Sequence, residues 1–516
     1  MKTAKVLLLC AMVLTIVVFL ASCSKDETEA TISVQVMASK TTVYPDSATT
    51  VTATVIYSGD GVPAYEWTSS GGTITGSDNS VIWTAPATTG SYTVAVNVSD
   101  GDVSDSAGII ITVAETVPED TIIYLSGTIT SDSTLTSDKI WILRGGVFVG
   151  NDDDETILTI EPGTKIYGES SSDGMLVIRR NSKIMAEGTA SQPIVMTSDK
   201  PVGSRNRSDW GGLIINGKAP LNTGDEAYGE GGTGYYGGSD PHDDSGILKY
   251  VRVEFAGREI SPDNELNGIA FQGVGDGTEV DYVQVHMNKD DGIEFFGGTC
   301  NIKHAVLTGI ADDCFDYTDG WQGKAQFIVA QKYLDDGDQG FEMDNSGEDN
   351  TAEPYSNPTI YNFTLIGSYS SGGENDIGVL LREGTKGKFY NGIVMGFQDG
   401  LDIDHAQTFL NVENGDLIFD YCIFYNNGVN FMDDSDDFDE DSFATVTMTH
   451  NLETTSSPIT APYNLTSPNF RSTGVALTHP HATPPNDGFF DTSVDFIGGV
   501  DPNNDWTAGW TTSAPN

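Results

Sequence analysis

Between residues 283 and 403 the chain repeats itself. A short apolar run is followed by an acid-rich turn, and the turn by a second apolar run. Val283-Gln284-Val285 precedes Asp290-Asp291-Gly292-Ile293-Glu294-Phe295. Ala305-Val306-Leu307 precedes Asp312-Asp313-Cys314-Phe315-Asp316-Tyr317. Phe327-Ile328-Val329 precedes Asp338-Gln339-Gly340-Phe341-Glu342-Met343. The first two acidic turns start 22 residues apart, at Asp290 and Asp312. Weaker copies follow at Asp376-Ile377-Gly378-Val379-Leu380 and Asp399-Gly400-Leu401-Asp402-Ile403, at longer steps that read as loop insertions. A unit of this length, with two or three short strands and no helix, cannot bury its inner face alone. Stacking the units creates one continuous core and pairs each strand with its neighbours. The expected architecture is a right-handed parallel β-helix. Ile293, Phe315 and Phe341 would stack inside on successive turns, with the acids beside them lined up outside.

Earlier rungs are visible as Leu158-Thr159-Ile160, Lys165-Ile166-Tyr167-Gly168, Met175-Leu176-Val177-Ile178 and Pro193-Ile194-Val195-Met196. Over most of residues 121–440 the chain resembles the right-handed β-helix repeat superfamily. It is also similar to a group of Bacteroidota surface proteins carrying Gly-Ser-Arg, here Gly203 to Arg205, and Asp-Trp-Gly-Gly-Leu-Ile-Ile, here Asp209 to Ile215. The expected fold class is all-β, divided as follows: 1–22 signal peptide, 23–30 tether, 31–115 β-sandwich, 116–120 linker, 121–441 β-helix, 442–516 C-terminal cap. The cap rests on the aromatic residues of Asp487-Gly488-Phe489-Phe490 and Asp505-Trp506-Thr507-Ala508-Gly509-Trp510, which suit a cover over the last open turn.

The start of the chain carries an address. Lys2 and Lys5 precede an apolar stretch from Val6 to Ala21, the pattern of a secretion signal. It closes on Leu20-Ala21-Ser22-Cys23, which resembles a bacterial lipobox. The resemblance implies that Cys23 is the lipidated first residue of the mature protein. Several acyl chains anchor firmly, since each buried CH₂ contributes roughly 0.8 kcal/mol. Ser24-Lys25-Asp26-Glu27 looks like the surface-export signal of Bacteroidota lipoproteins. The expected location is the outer membrane, lipid-anchored and facing outward.

Residues 31–115 alternate apolar and polar positions, as in Thr31 to Val36, Val51 to Val55 and Tyr92 to Val98. That is the period of a half-buried strand. With Tyr65-Glu66-Trp67 and Trp83-Thr84-Ala85-Pro86, the segment resembles bacterial Ig-like and PKD-like modules. The resemblance makes Trp67 the core tryptophan and the module a spacer.

The charge narrows the partners. Seventy-five acids against 25 bases give a formal charge of −50. Such a chain repels phosphate backbones, so nucleic acid is not an expected partner. Hard divalent cations, Ca²⁺ above all, are the expected cofactor, because they take oxygen ligands. No nucleotide or redox cofactor is expected. The Gly-rich loop Gly229 to Gly238 lacks the Lys-Ser/Thr of a phosphate cradle and reads as a flexible loop. Its Tyr235 and Tyr236 could stack on sugar rings or pack in the loop. Cys300, Cys314 and Cys422 sit in apolar segments and read as buried free thiols. Asp433 to Asp441 is the densest acidic run and reads as a solvated loop.

The acidic turns carry the chemistry. Turns of such a solenoid lie one strand spacing apart, about 4.8 Å. Carboxylates stacked that closely repel, which raises pKa values or demands a cation. Asp290, Asp291, Asp312, Asp313, Asp335, Asp336 and Asp338 are the candidate Ca²⁺ ligands. The bland reading is that Asp recurs in turns for conformational reasons. Asn288 to Ile293 followed by Asp312-Asp313-Cys314 also resembles the first two motifs of polygalacturonase-type β-helix hydrolases. That resemblance makes Asp291, Asp312 and Asp313 the acid and water-activating set. The family's next motif, Gly-His-Gly, is replaced by Asp338-Gln339-Gly340. The function expected first is therefore a non-enzymatic surface lipoprotein that binds polysaccharide or another surface polymer, with Ca²⁺ assisting. The alternative is a β-helix polysaccharide hydrolase or lyase using the same acids.

Overall fold

The computed structural model describes residues 30–514, except 46, 60, 102, 115–120, 263, 336, 370–371, 373–375 and 433–437. Cys23, the export signal, the linker, Asp336 and most of the 433–441 acidic run lie outside the described residues. The chain divides into two compact units, 1–118 and 119–516.

The first unit has two four-stranded sheets. One orders strands Ile32–Ala38, Ala48–Tyr57, Ser80–Thr84 and Thr73–Thr75; the other orders Thr42–Val43, Ser104–Val113, Gly90–Ser99 and Ala64–Ser69. Inward positions from both sheets share one core, including Val51, Val81, Val94 and Ile111. Trp67 does not hold the centre expected of it. It is half-buried, and Trp83 is the fully buried tryptophan. The reason is hydrogen bonding: the Trp83 indole N–H finds Ser69 Oγ and Gly71 O at 2.8 Å inside the fold. Trp67 sends its indole N–H outward to Asp78 O.

The second unit is a parallel β-helix: 26 strands join in a single sheet whose pairings are all parallel. The expected inner column is present. Ile293 pairs with Phe315 and Phe315 with Phe341, and all three are fully buried. The column runs on to Val379 and Leu401. Burying an aromatic or aliphatic side chain of this size stabilises by roughly 1.5–3 kcal/mol. The stacked turns therefore stabilise one another through this shared interior.

Each turn bends at a corner. In the strands Glu279–His286, Asn301–Thr308 and Lys324–Gln331 the mid-strand residues Tyr282, His304 and Phe327 have φ of 55°, 49° and 64°. Bulky residues pay for left-handed backbone, about 1–2 kcal/mol each. Here the cost is offset by stacking. Tyr250 lies on Tyr282 at 4.4 Å, Tyr282 on His304 at 4.2 Å, and His304 on Phe327 at 4.9 Å. Aromatic pairs of this kind contribute about 0.5–1.5 kcal/mol beyond the area they bury.

The C-terminal aromatics do not cover the last turn as expected. Pairing continues beyond residue 441 to the strand Leu452–Thr454, and Phe443 and Ala444 close the core at that end, with Phe438 and Met448 packed against it. The remaining chain returns along the corner column instead. Trp506 sets its edge against His304, and Trp510 against Tyr250. Side-chain amides of the solenoid pin its backbone. Gln284 exchanges two hydrogen bonds with Thr512, Gln326 two with Asp491, and Asn391 two with Ala482. The stacked rings of the corner offer these tryptophans more apolar surface than one open turn can. Cys300, Cys314 and Cys422 are buried free thiols.

Candidate functional site

The acidic turns precede the strands Ile293–Phe296, Phe315–Thr318 and Phe341–Asp344, which stack in parallel register. The period-two alternation of a strand sends Ile293 and Phe295 inward and Glu294 outward. Glu294, Asp316 and Glu342 are thus direct neighbours in one outer column. The turn residues form a second column. Asp291 Oδ1 accepts the Asp313 backbone N–H at 3.0 Å, and Asp313 Oδ1 accepts the Gln339 N–H at 2.7 Å. The conformational reading of these aspartates therefore holds for one oxygen of each.

Asp291 and Asp313 also line an open cleft of about 500 Å³, walled by ten carboxyl groups in all, with Gln339 and Arg382. Three sets have one oxygen from each member within 4.8 Å of the others: Asp290–Asp291–Asp312, Asp291–Glu294–Asp316 and Asp312–Asp313–Asp338. Asp291, Glu294 and Asp316 are each at least nine-tenths buried. Asp316 Oδ1 is buried without a hydrogen-bond partner. The cleft's one guanidinium, on Arg382, is committed to Glu342 and Asp344 at 3.0 Å.

Such crowding disfavours ionisation. Burial, then the repulsion of Asp312, pushes Asp290 up to about 7. Burial, then the Asp338 charge, raises Asp312 to about 6. Asp344 is raised to about 8 by burial and Glu342, against the pull of Arg382. Asp291, Glu294, Asp313 and Asp316 are held well above the ordinary carboxylate range, burial being the first cause and neighbouring carboxylates the second. A buried anion without a partner is costly, so these groups must hold protons or a cation.

One cation is built in beneath the cleft. Lys332 is 1% exposed, and its ammonium donates to the carbonyls of Ile310, Asp312 and Gly337. It ties together the backbones that carry Asp312 and Asp338.

The structure thus brings together Asp290, Asp291, Asp312, Asp313 and Asp338. It does not bring Asp335 to them: that side chain is largely exposed and pairs with Arg207 at 3.0 Å on another loop. The Gly-rich segment is a hairpin, Ala227–Gly229 paired with Gly234–Tyr236, rather than a flexible loop. Tyr235 is exposed on it. Tyr236 is not available to a ligand: it is 5% exposed, packs on Phe296 and points its hydroxyl at Asp319. Neighbouring residues of a strand face opposite ways. Glu230 at the hairpin tip and Glu265 also line the site, Lys332 supports it from beneath, and no sequence signal singled them out.

The Gly-Ser-Arg and Asp-Trp-Gly-Gly segments are structural. Asp209 accepts from Ser198, Lys200 and the Asn206 N–H, which closes the loop on itself. Trp210 is fully buried. Gly212 has φ of 117°, and a Cβ there would meet Asn267 O at 2.2 Å, so glycine is required.

Residues 127–511 match the family model described as a pectate-lyase-like β-helix domain. No curated protein and no solved structure matches the chain.

Proposed function

The chain belongs to the pectate-lyase-like β-helix domain family, a fold typical of carbohydrate-active enzymes and binders, and from that premise we propose that it binds an acidic polysaccharide through Ca²⁺ held in the acidic cleft. The observation that carries this reading is the Asp291–Glu294–Asp316 set. Three buried carboxyl groups converge within 4.8 Å, and one oxygen of Asp316 has no partner. Ca²⁺ takes six to eight oxygens, so a cation there keeps positions for ligand oxygens. It also reverses the local charge, which otherwise repels a uronate chain. Calorimetry should show Ca²⁺ uptake, and retention on immobilised polygalacturonate should be abolished by chelator. Absence of both would sink the reading.

A second reading is hydrolysis, with Asp312 as acid and Asp291 or Asp313 activating water. It is favoured by the gathering of these three in an open cleft. Against it, one oxygen of Asp291 and one of Asp313 are spent on the next turn's backbone, and Gln339 stands where the resemblance expects histidine. Reducing-end release from polygalacturonate that leaves no ultraviolet-absorbing unsaturated end and disappears in Asp312→Asn would establish it.

The setting is the cell surface. Lipid on Cys23 would hold the protein to the outer membrane, Lys25-Asp26-Glu27 would direct it outward, and the N-terminal sandwich would serve as an Ig-like spacer. The acidic balance leaves nucleic acid without a site. Protease shaving of intact cells tests the address: cleavage only after lysis overturns surface display, and Cys23→Ala should release the protein from the membrane.

A further inference from the structure

The cleft ends against segments that are not part of the repeat. Two small hairpins, Ala227–Gly229 with Gly234–Tyr236 and Glu259–Ser261 with Asn264–Glu265, are inserted on either side of the strand Gly246–Glu254. The Gly231 N–H donates to Asn264 Oδ1 at 2.6 Å and ties them together. They deliver Glu230 and Glu265 to the cleft. Insertions in a solenoid gather on one face, often the binding face.

Tyr228 and Tyr235 lie opposite each other across the first hairpin, with ring centroids 4.9 Å apart and planes at 76°. They are 60% and 51% exposed, the one aromatic pair among the described residues with both rings more than half in water. The hairpin does not need them outside for its own anchoring. Tyr236 does that from the opposite face, against Phe296 and Asp319. Beside Tyr235, at 6.0 Å from its ring, stands the Arg180 guanidinium. Arg180 is fixed there by Glu226 at 3.2 Å and by the Gly237 carbonyl. Tyrosine combines an apolar face with a polar tip. The two rings match the C–H face of a uronic-acid ring and the fixed guanidinium its carboxylate, while Glu230, two residues along the chain from Tyr228, lines the cleft.

We propose that Tyr228 and Tyr235, with Arg180, form a second subsite that stacks one pyranose ring of an acidic polysaccharide whose neighbouring rings lie in the cleft. The subsite rests on the reading of the cleft as a polysaccharide site, and extends it by a contact that needs no cation.

The test is affinity electrophoresis of the purified protein through gels containing sodium polygalacturonate, with Ca²⁺ or with chelator, alongside Ca²⁺ calorimetry. The Tyr228→Ala/Tyr235→Ala variant should bind polygalacturonate about tenfold more weakly, the factor carried by about 1.4 kcal/mol, with Ca²⁺ uptake unchanged. Tyr228→Phe/Tyr235→Phe keeps both rings and should retain most binding. It also controls for folding, together with an unchanged melting temperature. Wild-type binding matched by the alanine variant would overturn the subsite and leave the cleft reading intact. Wild-type protein that takes up no Ca²⁺ and is not retained would overturn both. Retention that persists in chelator and is lost in the alanine variant would support the subsite and remove Ca²⁺ from the account.

Discussion

The Asp291 carboxylate accepts the backbone N–H of Asp313 at 3.0 Å, one full turn further along the solenoid. One side chain thus both closes a turn and lines the cleft. The two roles separate chemically. In Asp291→Asn the amide oxygen can accept the same bond while the side chain can no longer ionise to take a cation. We expect metal-free stability to hold or rise, and Ca²⁺ affinity to fall at least about tenfold. Asp291→Ala removes the acceptor as well and leaves a buried N–H unpaired, at a cost of about 1–3 kcal/mol. Thermal melts with and without Ca²⁺ check both variants.

The pH dependence of the metal-free protein has a definite sign. Asp290, Asp312 and Asp344 have folded pKa values raised to about 7, 6 and 8, above the unfolded value near 3.9. Between those limits the native state binds more protons than the unfolded state, so stability falls as pH rises. In chelator, the melting temperature should climb on acidification from pH 8 towards pH 5 and level off near the unfolded pKa. Ca²⁺ competes with the same protons, so the stabilisation it gives should be largest at high pH. A metal-free melting temperature that rises with pH across this window would contradict the assignment.

Lys332 offers a separate handle. Lys332→Met keeps the length of the stem but leaves the carbonyls of Ile310, Asp312 and Gly337 without their donor. Leaving a buried carbonyl without its donor costs about 1–3 kcal/mol. Denaturant unfolding should report a loss of that order, and any residual Ca²⁺ affinity should be reduced, because Asp312 and Asp338 lose the tie between their backbones.

Trp510 measures the returning tail. It is 1% exposed and gives its backbone carbonyl to Arg252 at 2.9 Å. Trp510→Ala should destabilise by about 3–5 kcal/mol and open the tail to limited proteolysis before the rest of the solenoid is cut. Equal protease resistance in variant and wild type would mean the tail is held elsewhere.

What could be read from the residues follows from what repeats. The Ile293–Phe315–Phe341 column and the clustering of Asp290, Asp291, Asp312 and Asp313 were legible because spacing translates directly into register. Asp335 breaks the pattern because it sits in the loop between Lys332 and Asp338, outside the repeat. Glu230 and Glu265 were invisible for the same reason: each arrives on an inserted hairpin, whose length carries no periodic signal. Assigning Tyr235 outward and Tyr236 inward needs the strand pairing with Tyr228. Trp67 and Trp83 stand in similar alternating runs, and only the hydrogen-bond acceptors inside the fold separate them. The tail that lies along Tyr250, Tyr282 and His304 meets residues more than two hundred positions earlier, a distance at which local pattern says nothing.

That distance has a consequence for biosynthesis. Thr512 and Ala514 meet Gln284 and His286 across a separation of 228 residues. A ribosome therefore completes the turns that hold the corner rings long before it makes the segment that covers them. Until then Tyr250, Tyr282 and His304 present a stacked aromatic strip to whatever meets the growing chain. A chain cut short by nonsense or proteolysis keeps that strip uncovered for good. The covered strip thereby distinguishes finished from unfinished copies, and a chaperone or protease that recognises exposed aromatic surface would sort them without any dedicated tag.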